Sequence, residues 1–191
     1  ELFVMSYCPY GTQMQKGIMP AIDALGDKID FDLKFVDYIM HGEEEAQENV
    51  RQYCINKEQK NKLSGYLSCF LKSGDSQACL KTAGIDEGKL AKCYGDSDKQ
   101  FKVSELMKDT SSTYPPFMIN SDDNEKYGVS GSPTLVINGA IINSARDSAS
   151  LLKTICTAFN NTPEECQKEL SNSTPAPGFG DGTTASASTA S

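Results

Sequence analysis

Cys8 is the residue of this chain best placed to act as a nucleophile. It lies in the segment Tyr7-Cys8-Pro9-Tyr10-Gly11, between an apolar run at residues 2–5 and a stretch in which large apolar residues recur at helical spacing. Pro9 suits the first turn of a helix, so the sequence places Cys8 at a helix N-terminus. Free backbone N–H groups and the helix dipole stabilise a thiolate there, and the thiolate is the form that attacks disulfides.

Gly11 limits the chemistry that Cys8 can complete. It stands where a Cys-x-x-Cys loop would carry its second cysteine, and it has no thiol. After Cys8 attacks a disulfide, release of the mixed disulfide therefore needs an external thiol or a second thiol on the substrate. The sequence predicts monothiol or isomerase-like exchange, and it predicts that Gly11→Cys raises reductase turnover. The structural alternative is an inert Cys8, since free cysteine is among the most buried residue types.

The elements around Cys8 form a strand, a helix and a second strand. The apolar run at residues 2–5 predicts a buried strand, and the helical pattern ends at Gly26. From Ile29 to Phe35 apolar and polar residues alternate, which predicts a strand with one buried face. Two strands joined by one helix lie parallel, with a right-handed crossover. Later, Asn138-Gly139 between two apolar runs predicts a β-hairpin, and a last helix is predicted near residues 148–159.

Composition divides the chain into three parts. Residues 42–126 are charged, show no strand pattern and hold four of the seven cysteines, which predicts a helical insertion stapled by disulfides. We expect residues 1–170 to form one α/β domain that contains this insertion. Residues 171–191 are built almost wholly from Ser, Thr, Ala, Gly and Pro, which predicts a flexible linker or stalk. The alternative is a tail ordered by docking on a neighbouring subunit, in a homo-oligomer or filament.

Charge and cysteine usage restrict the partners and the compartment. The chain has 18 Lys+Arg against 26 Asp+Glu, a net charge of −8, and no basic cluster, which argues against nucleic-acid and membrane-surface roles. No apolar run approaches the roughly 20 residues of a membrane span. Seven cysteines without a zinc-binding pattern predict disulfides and an extracytoplasmic location, at the cell surface, in the periplasm or secreted. We expect an export segment before Glu1, and Asn160 and Asn172 are candidate glycosylation sites.

Six of the cysteines can form three bridges, which leaves Cys8 as the unpaired thiol. Cys156 and Cys166 flank a turn that can bring their sulfurs together. The four cysteines of the insertion allow three pairings. The preferred one joins Cys69 to Cys79 across Ser73-Gly74-Asp75, and Cys54 to Cys93, with the other two pairings left open.

Three segments resemble thiol–disulfide oxidoreductases of the thioredoxin fold. The Cys8 loop is similar to the active-site loop of glutaredoxin and DsbA. The segment from Tyr127 to Thr134, YGVSGSPT, resembles the family segment whose proline is cis and faces the active-site cysteine. The sequence from His41 to Cys54 resembles the signature of gamma-interferon-inducible lysosomal thiol reductases, although Ile39 and Ala46 stand where that signature has cysteines.

The resemblance implies a thioredoxin-like fold, with βαβ, a helical insertion and ββα in that order. It implies exchange with protein disulfide or thiol substrates, with no metal and no organic cofactor. Cys8 is then the catalytic residue, and the substrate-binding residues are Tyr7, Pro9, Tyr10, Gly11, Ser132 and Pro133. The alternative is a non-catalytic subunit of an extracellular assembly that kept the fold without a second active-site cysteine.

The only histidine and the acidic run beside it are interpreted as structural. His41 has no partner that the sequence identifies, and a single histidine in that setting is more often structural than a general base. The run from Glu43 to Glu45 suits a solvated first helical turn, where carboxylates complement the helix dipole.

Overall fold

A small mixed sheet carries the segment that contains Cys8. The computed structural model describes residues 1–109 and 111–184, and it is a mixed α/β protein. The sheet has the strand order β2-β1-β3-β4, with β1 parallel to β2 and antiparallel to β3, and with β4 antiparallel to β3. The strands are β1 Leu2–Val4, β2 Leu33–Phe35, β3 Thr134–Ile137 and β4 Ala140–Ile142.

Eight α-helices are described, and they supply most of the ordered structure. They are α1 Pro9–Leu25, α2 Glu43–Glu58, α3 Leu63–Ser73, α4 Ser76–Thr82, α5 Glu87–Phe101, α6 Val103–Leu106, α7 Ser121–Tyr127 and α8 Ser148–Cys156. Short 3-10 helices occupy Gly26–Lys28, Lys60–Lys62, Met118–Asn120 and Glu164–Gln167.

β1 is covered on both faces, as its continuous apolar sequence predicts. Leu2 and Val4 belong to the main core, which also contains residues of α1, α2, α3 and α8. Phe3 and Met5 belong to a smaller cluster that includes Cys8. The strand therefore enters the Cys8 loop with no solvent-facing side.

β2 is shorter and more deeply buried than the alternating pattern predicts. Only Leu33–Phe35 forms a strand, and all three residues are buried. The prediction of one buried face was wrong at Lys34, whose ammonium lies 2.6 Å from Glu1 Oε1 and 2.8 Å from Asp123 Oδ2. These carboxylates satisfy a buried cation that a solvated strand face would have left in water.

The predicted hairpin forms at Asn138-Gly139. Both residues have positive φ, 49° and 84°, as a tight turn between two twisted strands requires. The helix after the hairpin, α8, ends at Cys156, three residues before the predicted end at residue 159. The chain then turns back so that Cys156 can bond to Cys166.

The insertion is helical, and none of the four strands of the sheet lies among its described residues. α2 packs along α5, and these two helices are joined by Cys54–Cys93. α3 packs against α4, and Cys69–Cys79 joins that pair. The structure thus contains the pairings preferred from the sequence.

The described part of the tail, residues 171–184, lies against the domain instead of extending from it. Composition predicts a linker there, because the segment has little apolar surface to bury. In the structure its main chain bonds to α1 and α3, and the single large side chain Phe179 packs against two aromatic rings. The remaining predicted linker, residues 185–191, lies outside the described residues.

Candidate functional site

Cys8 lies directly before α1, at the end of the turn that follows β1. Its φ and ψ are −64° and 124°, and its carbonyl accepts from Thr12 N at 2.9 Å, so it is the N-cap residue of α1, with Pro9 in the first turn. Cys8 N donates to Met5 O at 3.0 Å, which closes the loop after β1. Cys8 therefore lies at the N-terminus of a helix, as the sequence predicts, but the residue is only 9% exposed.

The structure brings the Cys8 loop together with the segment before β3. Cys8 Sγ lies 3.6 Å from Ser132 O, to which a thiol can donate. Ser132 Oγ accepts from Met5 N at 2.9 Å, so this side chain links the two segments. The Ser132–Pro133 peptide bond is cis. Residues that are 124 positions apart in sequence thereby form one small site.

Gly11 lies against this link and has no room for a side chain. A Cβ atom added there would lie 2.6 Å from Ser132 Oγ, 2.9 Å from Met5 O and 3.3 Å from Cys8 Cβ. The first two distances are shorter than ordinary van der Waals contact allows. Ser132 thus occupies space beside Cys8 that a side chain at position 11 would need.

Glu45 of α2 accepts a hydrogen bond from the Cys8 loop, a role that the sequence analysis did not predict. The residue has no solvent exposure, so the interpretation of this position as a solvated helical turn was wrong. Glu45 Oε2 accepts from Tyr7 N at 3.3 Å and contacts His41 Nδ1 at 2.6 Å. Its Oε1 accepts from Met40 N and His41 N. The spacing of four between His41 and Glu45 is the one signal that points to this pair.

A second side chain of α2 holds the same loop. Asn49 Oδ1 accepts from Ser6 N at 3.0 Å, and both residues have no solvent exposure. The loop before Cys8 is therefore fixed by hydrogen bonds to the helical insertion as well as by the strand that precedes it.

Aromatic side chains flank Cys8. Tyr10 is 56% exposed, and the Arg146 guanidinium lies 5.1 Å from the centre of its ring. Tyr38 donates from its hydroxyl to Ser130 O at 3.2 Å. Partial burial raises the pKa of Tyr38, and the charge of Asp37 raises it further. Tyr38 thereby contacts the segment that leads to Ser132.

The other side of the loop is occupied by residues 174–184, which we term the strap. Gly178 N donates to Pro9 O at 3.1 Å, and Phe179 lies edge-on to Tyr7 with ring centres 5.6 Å apart. The strap thus contacts both sequence neighbours of Cys8, Tyr7 and Pro9.

The two candidate glycosylation residues lie at the surface. Asn160 and Asn172 are exposed in loops. Within residues 1–109 and 111–184, no His, Cys, Asp or Glu side chains are grouped in threes or more to hold a metal ion. None of the described helices has the length and apolar character needed to cross a membrane.

Comparisons of the chain with protein-family models, with curated proteins and with solved structures find no match.

Proposed function

We propose that this chain is an exported thiol–disulfide exchange protein with a thioredoxin-like fold, which acts on protein disulfides or thiols through Cys8 alone. The observation that carries the proposal is the position of one unpaired thiol at the start of a long helix, 3.6 Å from the carbonyl of Ser132, the residue that precedes the cis Pro133. The other six cysteines are bonded in pairs, so Cys8 is the one thiol available for exchange.

The sheet supports the fold part of the proposal. A parallel pair joined by α1, followed after an insertion by an antiparallel hairpin and α8, is the order expected for βαβ and ββα units of a thioredoxin-like fold. The chain places Cys8 after the first strand and Pro133 before the third, as the resemblance of both segments implies.

The first chemical step uses the Cys8 thiolate. It attacks one sulfur of a substrate disulfide, a bond forms between that sulfur and Cys8 Sγ, and the other substrate sulfur leaves as a thiolate. Cys8 is the N-cap residue of α1, at the end of the helix where the dipole favours a negative charge. The Ser132 carbonyl lies beside the sulfur, and we expect an extended substrate chain to pair with the backbone at Ser132 and Pro133.

The second step requires a thiol from outside the loop. An external thiolate, or a second thiolate on the substrate, attacks the mixed disulfide and restores the Cys8 thiolate, so that the electrons come from that partner. Gly11 cannot perform this step, and Ser132 occupies space that a larger residue at position 11 would need. An attack by another thiolate of the substrate rearranges its disulfides. An attack by a small thiolate leaves the substrate in a mixed disulfide with that thiol, and a second small thiolate must then attack to reduce the substrate and release the small-molecule disulfide.

The three disulfides support an oxidising, extracytoplasmic compartment for this chemistry. Two of them lie in the helical insertion, and one fixes the end of α8.

The test is exchange between a peptide disulfide and glutathione, with the Cys8→Ser variant as the comparison. We expect the wild-type protein to speed the exchange and to form a mixed disulfide at Cys8 that mass spectrometry detects. The Cys8→Ser variant should return the rate to the uncatalysed background with unchanged unfolding. Equal rates for both proteins would contradict the exchange function.

A non-catalytic binding or structural subunit is the second candidate. The observation that favours it is the burial of Cys8, which is 9% exposed, together with the lack of space for a second thiol at Gly11. In that case Cys8 stays unmodified in the presence of peptide disulfides, and Cys8→Ser leaves binding and assembly unchanged.

A further inference from the structure

The strap, residues 174–184, is a small folded unit that closes on itself. Ala176 N donates to Gly182 O at 2.8 Å, and Thr184 N donates to Thr174 O at 2.9 Å. Gly178, at the tip, has a φ of 78°, which glycine adopts without strain. The strap lies on a groove formed by the Cys8 loop, α1 and α3. Its lining residues are Tyr7, Pro9, Gln13, Lys16, Phe70 and Leu71.

The groove recognises the strap mainly through its backbone. Lys16 Nζ donates to the carbonyl oxygens of Ala176, Gly178 and Gly180, at 2.5, 2.8 and 3.0 Å. Gln13 Nε2 donates to Pro175 O at 2.7 Å. Main-chain carbonyls are present in every polypeptide, so these contacts select a looped backbone that brings three carbonyls to one ammonium. They do not select a particular side chain.

Two backbone amides of the strap donate in the opposite direction. Gly178 N donates to Pro9 O at 3.1 Å, and Gly180 N donates to Leu71 O at 3.0 Å. Gly178 and Gly180, on the two sides of position 179, have φ of 78° and 105°, and an added Cβ at either position would meet no atom within 4 Å. The backbone conformation, and not a lack of space, therefore favours glycine on both sides of Phe179.

Phe179 is the one large side chain that the groove accommodates. Its ring lies edge-on to Phe70, with centres 5.2 Å apart, and 5.6 Å from the centre of Tyr7. A Cβ atom on Gly74 would lie 3.3 Å from the Phe179 ring, so this glycine gives the ring its space. Phe179 remains 38% exposed, and the flanking strap residues are small.

The docked strap therefore buries little apolar surface for its length. Segments held by few buried apolar contacts open most readily, whereas a covalent tether gives the strap an effective concentration in the millimolar range. A free segment of the same chemistry must compete with that concentration.

We propose that this groove is a polypeptide-binding site for a looped, glycine-rich segment with one phenylalanine, and that the strap is its intramolecular occupant. An external segment binds there only when the strap is displaced, and it then lies beside Tyr7 and Pro9. Binding requires no reaction of Cys8, so it is independent of the exchange chemistry.

The experiment uses a fluorescein-labelled synthetic peptide of residues 174–184 and the intact chain of residues 1–191, with binding read by anisotropy. In the Phe179→Ala variant the strap loses its anchor, and we expect the peptide to bind at least about tenfold more tightly than to wild type, whose strap competes. Gly180→Pro is a second way to open the strap, because it removes the hydrogen that Leu71 O accepts and proline cannot adopt the φ of 105°. Hydrogen exchange at Gly178 checks the opening of both variants.

Groove variants test where the peptide binds. Adding Lys16→Met to Phe179→Ala removes the ammonium that contacts three carbonyls, and we expect peptide binding to weaken at least about tenfold. Lys168→Met is the matched control, since this lysine donates to Ala24 O away from the strap. A peptide in which Phe179 is replaced by alanine should bind neither protein.

Three results would overturn the proposal. The first is equal peptide binding to wild type and to both opened variants, which places the peptide elsewhere. The second is the absence of binding to Phe179→Ala and Gly180→Pro although the strap amides exchange freely. The third is retained protection of Gly178 in both variants, which means that the strap is a fixed part of the fold. A peptide that binds while Cys8 shows no exchange supports the groove and counts only against the exchange function.

Discussion

The Ser132 side chain packs against Gly11 beside Cys8, so the loop has no room for a second cysteine at position 11. From the sequence, Gly11→Cys is expected to restore a resolving thiol. The structure changes that expectation, because a Cβ at position 11 meets the Ser132 hydroxyl at 2.6 Å and a backbone oxygen of Met5 at 2.9 Å. The monothiol loop is therefore packed around a glycine, and a second cysteine requires compensating space.

Gly11→Ala tests this packing without adding a thiol. We expect it to lower the free energy of unfolding by about 1 to 3 kcal/mol, the usual cost of overpacking, although alanine is the better helix former. Adding Ser132→Ala should recover part of the loss, because it removes the nearer atom but not Met5 O. Urea unfolding of both single variants and the double variant measures the coupling. Strictly additive effects would show that Ser132 does not limit position 11.

Tyr66 sets a pH dependence that one substitution can isolate. Its hydroxyl donates to Glu48 Oε1 at 2.8 Å in the interior, and burial, followed by the Glu48 charge, raises the pKa of Tyr66. An acid with a raised pKa keeps its proton in the folded state while the unfolded chain loses it. Stability therefore falls as pH rises above about 10, the ordinary tyrosine pKa.

Tyr66→Phe should cost about 2 kcal/mol at pH 8, since Glu48 loses a buried donor. Above about pH 10 the difference from the parent should shrink by up to about 1.4 kcal/mol per pH unit, because only the parent retains this titration. Both proteins carry Cys8→Ser, which prevents thiol attack on the disulfides. Urea midpoints from pH 8 to 10.5 provide the measurement. A pH-independent difference would contradict the raised pKa.

At the scale of elements, α1 is fixed by its contact with the segment that leads into α8. Gly17 lies in the middle of α1, and a Cβ there would lie 1.9 Å from Arg146 O. No movement of a flexible side chain relieves a contact with a backbone oxygen. The close approach explains a glycine in the helix that carries Cys8, at a position where glycine is otherwise unfavourable.

Gly17→Ala should therefore destabilise the protein by about 3 kcal/mol, at the upper end of the range for overpacking. Gly95→Ala is the matched control, because Gly95 lies inside α5 with no atom within 4 Å of an added Cβ. The control should gain about 0.5 to 1 kcal/mol from helix propensity. Thermal and urea unfolding compare the two variants. Similar effects of both changes would mean that α1 does not pack closely at Gly17.

The elements also show what the sequence could predict. α1 and the Asn138-Gly139 hairpin follow from patterns within a few residues, and the structure contains both. Glu45 and Lys34 do not follow, because their burial depends on partners distant in sequence: Tyr7 N is 38 positions from Glu45, and Asp123 is 89 positions from Lys34. Local periodicity assigns such charged residues to solvent unless the partners are known.

The strap failed prediction for a related reason. Its composition describes a linker, since small and polar residues cannot form a core. Docking depends on donors that lie 160 to 164 positions earlier, on Lys16 of α1. The phenylalanine within an otherwise small-residue segment was the one local sign of an anchored position.

In the whole molecule, a disulfide of the helical insertion supports the Cys8 loop indirectly, through α2. Glu45 and Asn49 of α2 bond the loop, and α2 is fixed to α5 by the Cys54–Cys93 disulfide. The bridge therefore restrains a helix that contacts the site, although neither sulfur lies in the loop. Loss of the bridge is expected to reduce global stability and to loosen the support of Cys8.

The contributions of two disulfides to stability can be compared by replacing both cysteines of each one with alanine. Cys54 and Cys93 are separated by 39 positions, and Cys156 and Cys166 by 10. Loop-closure entropy predicts losses of about 4 and about 3 kcal/mol respectively, and Cys54 is also fully buried, which adds to the first loss. Replacing both partners leaves no new thiol to exchange with Cys8.

Urea unfolding of the two paired variants measures these losses, and hydrogen exchange at Ser6 and Tyr7 reads the loop. The Cys54–Cys93 bridge restrains α2, whose side chains accept from both amides, whereas the Cys156–Cys166 bridge restrains the end of α8. Exchange at these amides should therefore accelerate more in the Cys54→Ala/Cys93→Ala variant than in the Cys156→Ala/Cys166→Ala variant. The comparison is made well below each urea midpoint, so that local opening dominates over global unfolding. Equal acceleration in both variants would indicate that the loop is held by β1 and α1 alone, without a contribution from the insertion.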